Sequence, residues 1–325
     1  MKVLGMGNAL VDVLALIDND ILLEELELPK GSMQLIDEVK KESLHLAIAD
    51  REKFVASGGS ASNTINGLAR LDIATGFIGR VGKDFYGTYY KHDLDKCKVT
   101  SHLIITDDEA SGIATTFVSK DGQRTFGTFL GAAAGLTAED LNESDFVGYD
   151  YFYIEGYLVQ NLDLIRKAIT LAKNAGLKVV LDMASYNVVE ASRDFLLEII
   201  PDYIDIVFAN EEEARALFDV EAEVALDMIA KDVEIAIVKV GEKGSWIKRG
   251  DEKVFVPALK VNCIDTTGAG DLYAAGFLYG LIKNRTLAES GKIGTLLAGN
   301  VIQIVGPKMD DAKWDELIAE LAKAK

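Results

Sequence analysis

Cysteine is nearly absent. Cys97 and Cys263 are the only two among 325 residues, too few for a disulfide framework and without the spacing of a metal site. Histidine is almost as rare: His45, His92 and His102 stand apart, with no pair at i, i+4 and no neighbouring cysteine, so a histidine-based metal centre is not expected. No apolar run approaches the roughly 18 residues of a membrane-crossing helix, and the opening MKVLGMGNALVDV lacks the long apolar core and cleavage site of a signal peptide. A soluble protein of the reducing cytoplasm is expected. Basic residues are in deficit, 34 Lys+Arg against 52 Asp+Glu for a net charge of −18. That balance argues against binding the nucleic-acid backbone, which needs clustered Lys and Arg. It does not exclude a small phosphate-bearing ligand held by local backbone donors.

Two phosphate motifs are missing as well. There is no GxxxxGK[ST], which excludes a P-loop, and Gly5-Met6-Gly7 does not continue to the third glycine of GxGxxG, which leaves a dinucleotide oxidoreductase without its fingerprint. Only four prolines occur, with no Ser/Gly-rich linker and no repeat. Nothing divides the chain, and residues 1–325 are expected to form a single α/β domain. With 49% hydrophobic and 26% charged residues, its composition is that of a globular protein.

What is present is a rhythm of short apolar runs and helical stretches. KVVLD (178–182), IDIVFA (204–209) and IAIVKV (235–240) suit strands buried on both faces of a parallel sheet, and the segments 162–175 and 211–217 between them carry helical patterning. The expected architecture is a doubly wound, mostly parallel sheet flanked by helices. Residues 10–37 and 102–129 instead alternate apolar and polar residues, with a turn signal at 120–122. They predict a small antiparallel sheet forming a lid, or an immobile extension at the edge of the main sheet.

Three segments carry chemistry. In DTTGAGD (265–271), Gly268, Ala269 and Gly270 leave the backbone uncovered where an apolar helix begins. Free N–H groups and the positive end of the helix dipole make an anion hole there. Asp271, in the first turn, can accept a proton from an attacking hydroxyl, a combination suited to phosphoryl transfer. The dipole is expected to lower its pKa. The same residues also suit a plain N-cap with glycines for tight packing. In SGGSASNT (57–64), Gly58 and Gly59 let the backbone approach a ligand, while Ser60 and Asn63 offer polar side chains for a polyhydroxylated molecule; an ordinary glycine turn reads alike. Asn8 and Asp12 follow the first strand, where Asp12 suits two sugar hydroxyls or a solvated turn.

Together, in this order, the segments resemble the ribokinase-like (phosphofructokinase-B type) family of carbohydrate and nucleoside kinases. NEEE (210–213) is similar to its Asn-x-x-Glu motif and KVGEKG (239–244) to its nucleotide-side turn. GMGNALVD (5–12) and the spacing to Gly58 resemble the adenosine-kinase branch. The resemblance implies ATP and Mg2+ as cofactors, with any monovalent cation left open, and a small nucleoside or sugar as partner in a monomer or homodimer. It implies Asp271 as base, Gly268, Ala269 and Gly270 as anion hole, and Arg124 as a charge stabiliser from the lid. Asn8, Asp12, Gly58, Gly59, Ser60 and Asn63 would hold the ribose. Asn210 and Glu213 would organise magnesium through water, and Lys239, Gly241, Gly244 and Asn300 would line the ATP site. Where adenosine kinases carry two aromatics, this chain has Tyr157-Leu158, so one ring remains to stack on a purine. A purine nucleoside and a free sugar both stay open as acceptor.

Overall fold

The computed structural model describes residues 1–120 and 123–323. In chain order the strands are β1 (Lys2–Met6), β2 (Leu10–Leu16), β3 (Met33–Leu35), β4 (Lys53–Gly58), β5 (Ala74–Gly82), β6 (Thr100–Thr106), β7 (Gly112–Val118), β8 (Arg124–Phe129), β9 (Tyr151–Glu155), β10 (Lys178–Asp182), β11 (Ile206–Asn210), β12 (Ile235–Lys239), β13 (Gly244–Arg249) and β14 (Glu252–Pro257). The helices are α1 (Ile21–Glu25), α2 (Glu38–Ala47), α3 (Ser60–Arg70), α4 (Phe85–Lys96), α5 (Leu162–Asn174), α6 (Tyr186–Ala191), α7 (Arg193–Tyr203), α8 (Glu211–Phe218), α9 (Ala222–Ile229), α10 (Ala269–Ile282), α11 (Leu287–Val301) and α12 (Asp311–Lys323).

The larger sheet has nine strands in the order β14-β13-β12-β11-β10-β9-β1-β5-β6. It is parallel from β12 to β6 and ends in the antiparallel β13 and β14. Alternate residues of its central strands feed opposite layers. Tyr153, Phe208 and Ile237 join a core with α3, α4, α10 and α11. Their neighbours Ile154, Val207 and Val238 join a second core with α5, α7, α8 and α9. Continuous apolar runs therefore mark strands covered on both faces, as expected for a doubly wound sheet.

The lid is a five-stranded sheet, β3-β8-β7-β2-β4, mixed and not antiparallel throughout as the alternation suggested, since β2 runs parallel to β7 and β3 to β8. Val11, Val13 and Ala15 on its outer face pack with Leu23 of α1, Leu26 just after it and Leu44 of α2. Its other face carries Asp12, Leu14, Arg124 and Phe126. The strand boundaries differ from the pattern-based ones in two places. Residues 100–106 pair with β5 at the edge of the main sheet, where one open side gives an edge strand the alternation of a lid strand. Residues 53–58 pair with β2 and belong to the lid. Of the turn at 120–122, Asp121 and Gly122 lie outside the described residues.

Candidate active site

The carboxyl ends of β1 and β9 to β12 meet the amino ends of α3 and α10, and the lid covers this meeting point. At α3, Gly59 has φ +91° and a β-carbon there would lie 2.2 Å from the Asn8 carbonyl oxygen, so only glycine fits. A β-carbon on Gly58 would lie 2.4 Å from Asp12 Oδ2. These glycines thus let β1, the lid and α3 converge on Asn8 and Asp12.

Glu155 fixes the convergence, and the sequence reading did not single it out. It is 1% exposed; its Oε1 accepts from Asn8 N at 2.9 Å and Asn8 Nδ2 at 2.8 Å, and its Oε2 accepts from Ala61 N at 3.0 Å. Burial pushes its carboxyl up to about 7 against those three hydrogen bonds. The available signal was a carboxylate closing the otherwise apolar strand YFYIE, just before Gly156.

Gly268, with φ +76°, caps α10, and a β-carbon there would lie 2.7 Å from Pro307 Cβ. Asp271 follows in the first turn. It accepts from Ser60 Oγ at 2.8 Å and from Asn63 Nδ2 at 2.8 Å, so Ser60 and Asn63 touch the carboxylate of α10 directly. The helix end does not lower its pKa as the sequence led us to expect. Burial outweighs the two hydrogen bonds and, with Asp182 nearby, lifts the carboxyl to about 6. Asp12 is lifted to about 7, again by burial, with Lys308 and Arg124 opposing.

Arg124 reaches down from β8. Its Nη2 pairs with Asp265 Oδ2 at 2.9 Å and its Nη1 donates to Thr267 Oγ1 at 3.2 Å. Asp265 also accepts from Thr267 N, Thr267 Oγ1 and Gly306 N. On the far side, Lys308 joins Ser57 of β4 to Asp93 of α4.

Beside the α10 N-terminus opens a cavity of about 1170 Å³. Asn210, Lys239, Gly241, Gly244, Ala269 and Gly270 line it, as do Thr266, Ala298, Gly299 and Ile302, which the sequence reading did not name. Two expected residues stand apart from its wall. Asn300 turns its amide back onto Leu296 O of its own helix at 2.8 Å. Glu213, 2% exposed, closes a capping box on α8, accepting from Asn210 N and Nδ2 at 2.7 Å each. Tyr157 lies in the turn after β9, 38% exposed. Its hydroxyl is pushed up to about 12, by burial first and then by the charges of Glu155 and Asp271.

A helix end left open by glycines, a carboxylate in its first turn and a large cavity beside it suit phosphoryl transfer. The sequence profile of the pfkB family carbohydrate kinases matches residues 32–312. The chain belongs to that family. It is similar to an adenosine kinase from Sinorhizobium meliloti, at 36% identity and TM-score 0.87 over 100% of this chain and 99% of that one. It is also similar to a probable sugar kinase from Rhizobium etli, at 34% identity and TM-score 0.87 over 99% and 98%. A nucleoside kinase of Methanocaldococcus jannaschii is 30% identical over 82% of this chain and 85% of its own length. This pfkB kinase is thus a phosphotransferase with an alcohol group as acceptor, and its family implies ATP and Mg2+. Among the described residues no helix is long and apolar enough to cross a membrane.

The residues present fit magnesium in one particular way. No group of three or more His, Cys, Asp or Glu among the described residues is placed to hold a metal ion. However, Asp182, Glu213 and Asp271 all face the single ammonium of Lys239, an excess of negative charge beside the cavity. Mg2+ keeps most of its waters and borrows phosphate oxygens, so Asn210 at the cavity wall would meet its water shell, with Glu213 fixing Asn210 from behind. When bound, it would neutralise charge on the phosphates.

Proposed function

We propose that this kinase transfers the γ-phosphoryl group of ATP to the 5′-hydroxyl of a purine nucleoside, with Asp271 as base and Gly268 to Gly270 as anion hole. The observation that carries this reading is the position of Asp271, between the cavity lined by Ala269 and Gly270 and the α3 end that offers Ser60 and Asn63. The hydroxyl oxygen attacks the γ-phosphorus and the bond to the bridging oxygen breaks. ADP departs with the electron pair, and the hydroxyl proton passes to Asp271. A carboxyl titrating near 6 is ionised at neutral pH yet basic enough to take that proton. The N–H groups at Gly268 to Gly270 and the Arg124 guanidinium meet the charge on the transferring group. Asn8, Asp12 and Gly59 would receive the ribose, and Lys239, Gly241 and Gly244 the nucleotide.

For the acceptor, the lid supplies the argument. Leu14, Phe54, Phe126 and Met33 lie in one register row across its site-facing side, an apolar cover that a base needs and a free sugar does not. The replacement of a second aromatic by Leu158 favours the alternative, a ribose- or fructose-type sugar, by the same mechanism. An ADP-release assay with Mg-ATP against adenosine, inosine, guanosine, ribose and fructose, run beside Asp271→Asn, tests both. Nucleoside turnover that falls roughly 10²–10⁴-fold in the variant supports the reading. Turnover on sugars alone rejects the nucleoside, and full turnover in Asp271→Asn rejects the base.

A further inference from the structure

β12 ends at Lys239, β11 at Asn210 and β10 at Asp182, side by side on one edge of the sheet. Lys239 does not face the open cavity alone. Its Nζ reaches across β11 to Asp182 Oδ2 at 3.5 Å, and a β-carbon on Gly270 would lie 3.1 Å from that nitrogen. The ammonium is thus held against the first turn of α10, next to Asp271. A long, flexible lysine keeps such a place only when a fixed countercharge holds it.

Asp182 is fixed. It is 3% exposed; its Oδ1 accepts from Ala184 N at 3.2 Å and its Oδ2 accepts from Tyr153 Oη at 3.1 Å. Tyr153, fully buried, lies 3.3 Å from Thr64 Oγ1, which is itself 3.1 Å from the Asp271 carbonyl oxygen. A buried polar chain therefore runs from β12 through β10, β9 and α3 to the turn of α10 that bears Asp271. The other carboxylates facing the ammonium are Glu213, occupied in its capping box, and Asp271 itself.

We propose that Asp182 is a positioning residue for phosphoryl transfer: it holds the Lys239 ammonium at Gly270, where it meets the phosphates of the nucleotide, and keeps it from pairing with Asp271. The inference rests on the kinase reading above. Without Asp182, the ammonium turns to Asp271 and quenches it, so turnover and nucleotide affinity suffer while acceptor affinity does not.

A double-mutant cycle tests this, using Asp182→Asn, Lys239→Met and the pair, with kcat, both KM values and calorimetric ATP binding measured on the full chain. Asp182→Asn is expected to lower kcat roughly 10–100-fold and to weaken ATP binding, with acceptor KM within about twofold. In the Lys239→Met background it should cost nothing further. Tyr153→Phe, a milder change that keeps the buried ring, should show a smaller loss that also vanishes in that background. Losses that multiply in the double variant, or an unchanged kcat in Asp182→Asn, overturn the proposal while wild-type turnover leaves the kinase reading standing. A wild-type chain that neither binds ATP nor turns over any acceptor removes the kinase reading and this inference with it.

Discussion

Arg124 of the lid and Asp265 of the glycine segment form an ion pair at 2.9 Å, with the arginine side chain only 8% exposed. One carboxylate thereby fastens the lid, the turn before α10 and the loop at Gly306. On the proposed mechanism, the arginine that would meet the transferring phosphoryl group is held by the segment that would form the anion hole.

Replacing Arg124 by alanine should lower kcat by roughly 10²–10³, as loss of one positioned donor to a developing anion does. Acceptor KM should change little. Asp265→Ala should act differently: it leaves a buried guanidinium unpaired and destabilises the fold by about 3–5 kcal/mol. Steady-state kinetics on the first variant and denaturant unfolding on the second separate the two roles. Equal thermal stability of Asp265→Ala and wild type would contradict the anchoring role.

Asp271 and Asp12 are raised within reach of neutral pH, to about 6 and about 7, as are the buried Glu155 and Glu213, each to about 7. In the proposed roles Asp271 and Asp12 must be ionised to accept a proton and bind a hydroxyl, so kcat/KM should fall on the acid side more steeply than for one proton. Asp12→Asn should make that acid limb shallower. Stability runs the opposite way. Each folded-state pKa lies above its unfolded value, so the native state holds more protons between about pH 4 and 7, and unfolding free energy falls as pH rises through that window. The ligand-free protein should melt higher at pH 5 than at pH 8. Asp271→Asn should narrow the gap, because it removes one of the groups whose pKa rises on folding. A melting temperature that rises from pH 5 to 8 would count against the buried charges.

Glu155→Ala should be among the costliest single changes. It strands two backbone donors, of Asn8 and Ala61, and the Asn8 amide, at about 1–3 kcal/mol for each buried group left unpaired. Chemical denaturation would read the loss directly. Because Asn8 borders the acceptor side, acceptor KM should rise in whatever fraction stays folded, while ATP affinity holds.

The parts of the molecule that were legible in the sequence are those written in local patterns. The runs at 178–182, 204–209 and 235–240 became strands because burial on both faces leaves no polar alternation to confuse the eye. Gly59 and Gly268 sit where a side chain would strike Asn8 and Pro307, so the glycine segments announced close approaches. What stayed hidden depends on distant pairings. The edge strand β6 imitates a lid strand because both have one wet face. The link of Ser60 and Asn63 to Asp271 spans two helices far apart in sequence, and Glu155 and Asp182 look like ordinary strand-end residues, and Tyr153 like a core one, until the sheet brings them together. The pKa of Asp271 was misjudged for the same reason: its helix end is a local fact, but its burial and its neighbour Asp182 are tertiary ones.

The lid row offers the sharpest separation between acceptors. Met33 pairs with Phe126, Phe126 with Thr116, Thr116 with Leu14 and Leu14 with Phe54, on the face that also carries Arg124. Gly127, one residue on, points the other way, where a β-carbon would meet Leu44 of α2 at 2.4 Å. Phe126 thus faces the site, and Met33 and Phe54 at the two edges are 54% and 53% exposed, while Leu14 and Thr116 between them are buried. Phe126→Ser should raise KM for a nucleoside by roughly 5–100-fold, the range of about 1–3 kcal/mol for a base against an aromatic ring. It should leave kcat within about threefold, because Arg124 and Asp271 are untouched. Efficiency with ribose or fructose should not change. If Phe126→Ser lowers kcat/KM for sugars as much as for nucleosides, the row supports the lid's closure and not a base, and the purine assignment falls.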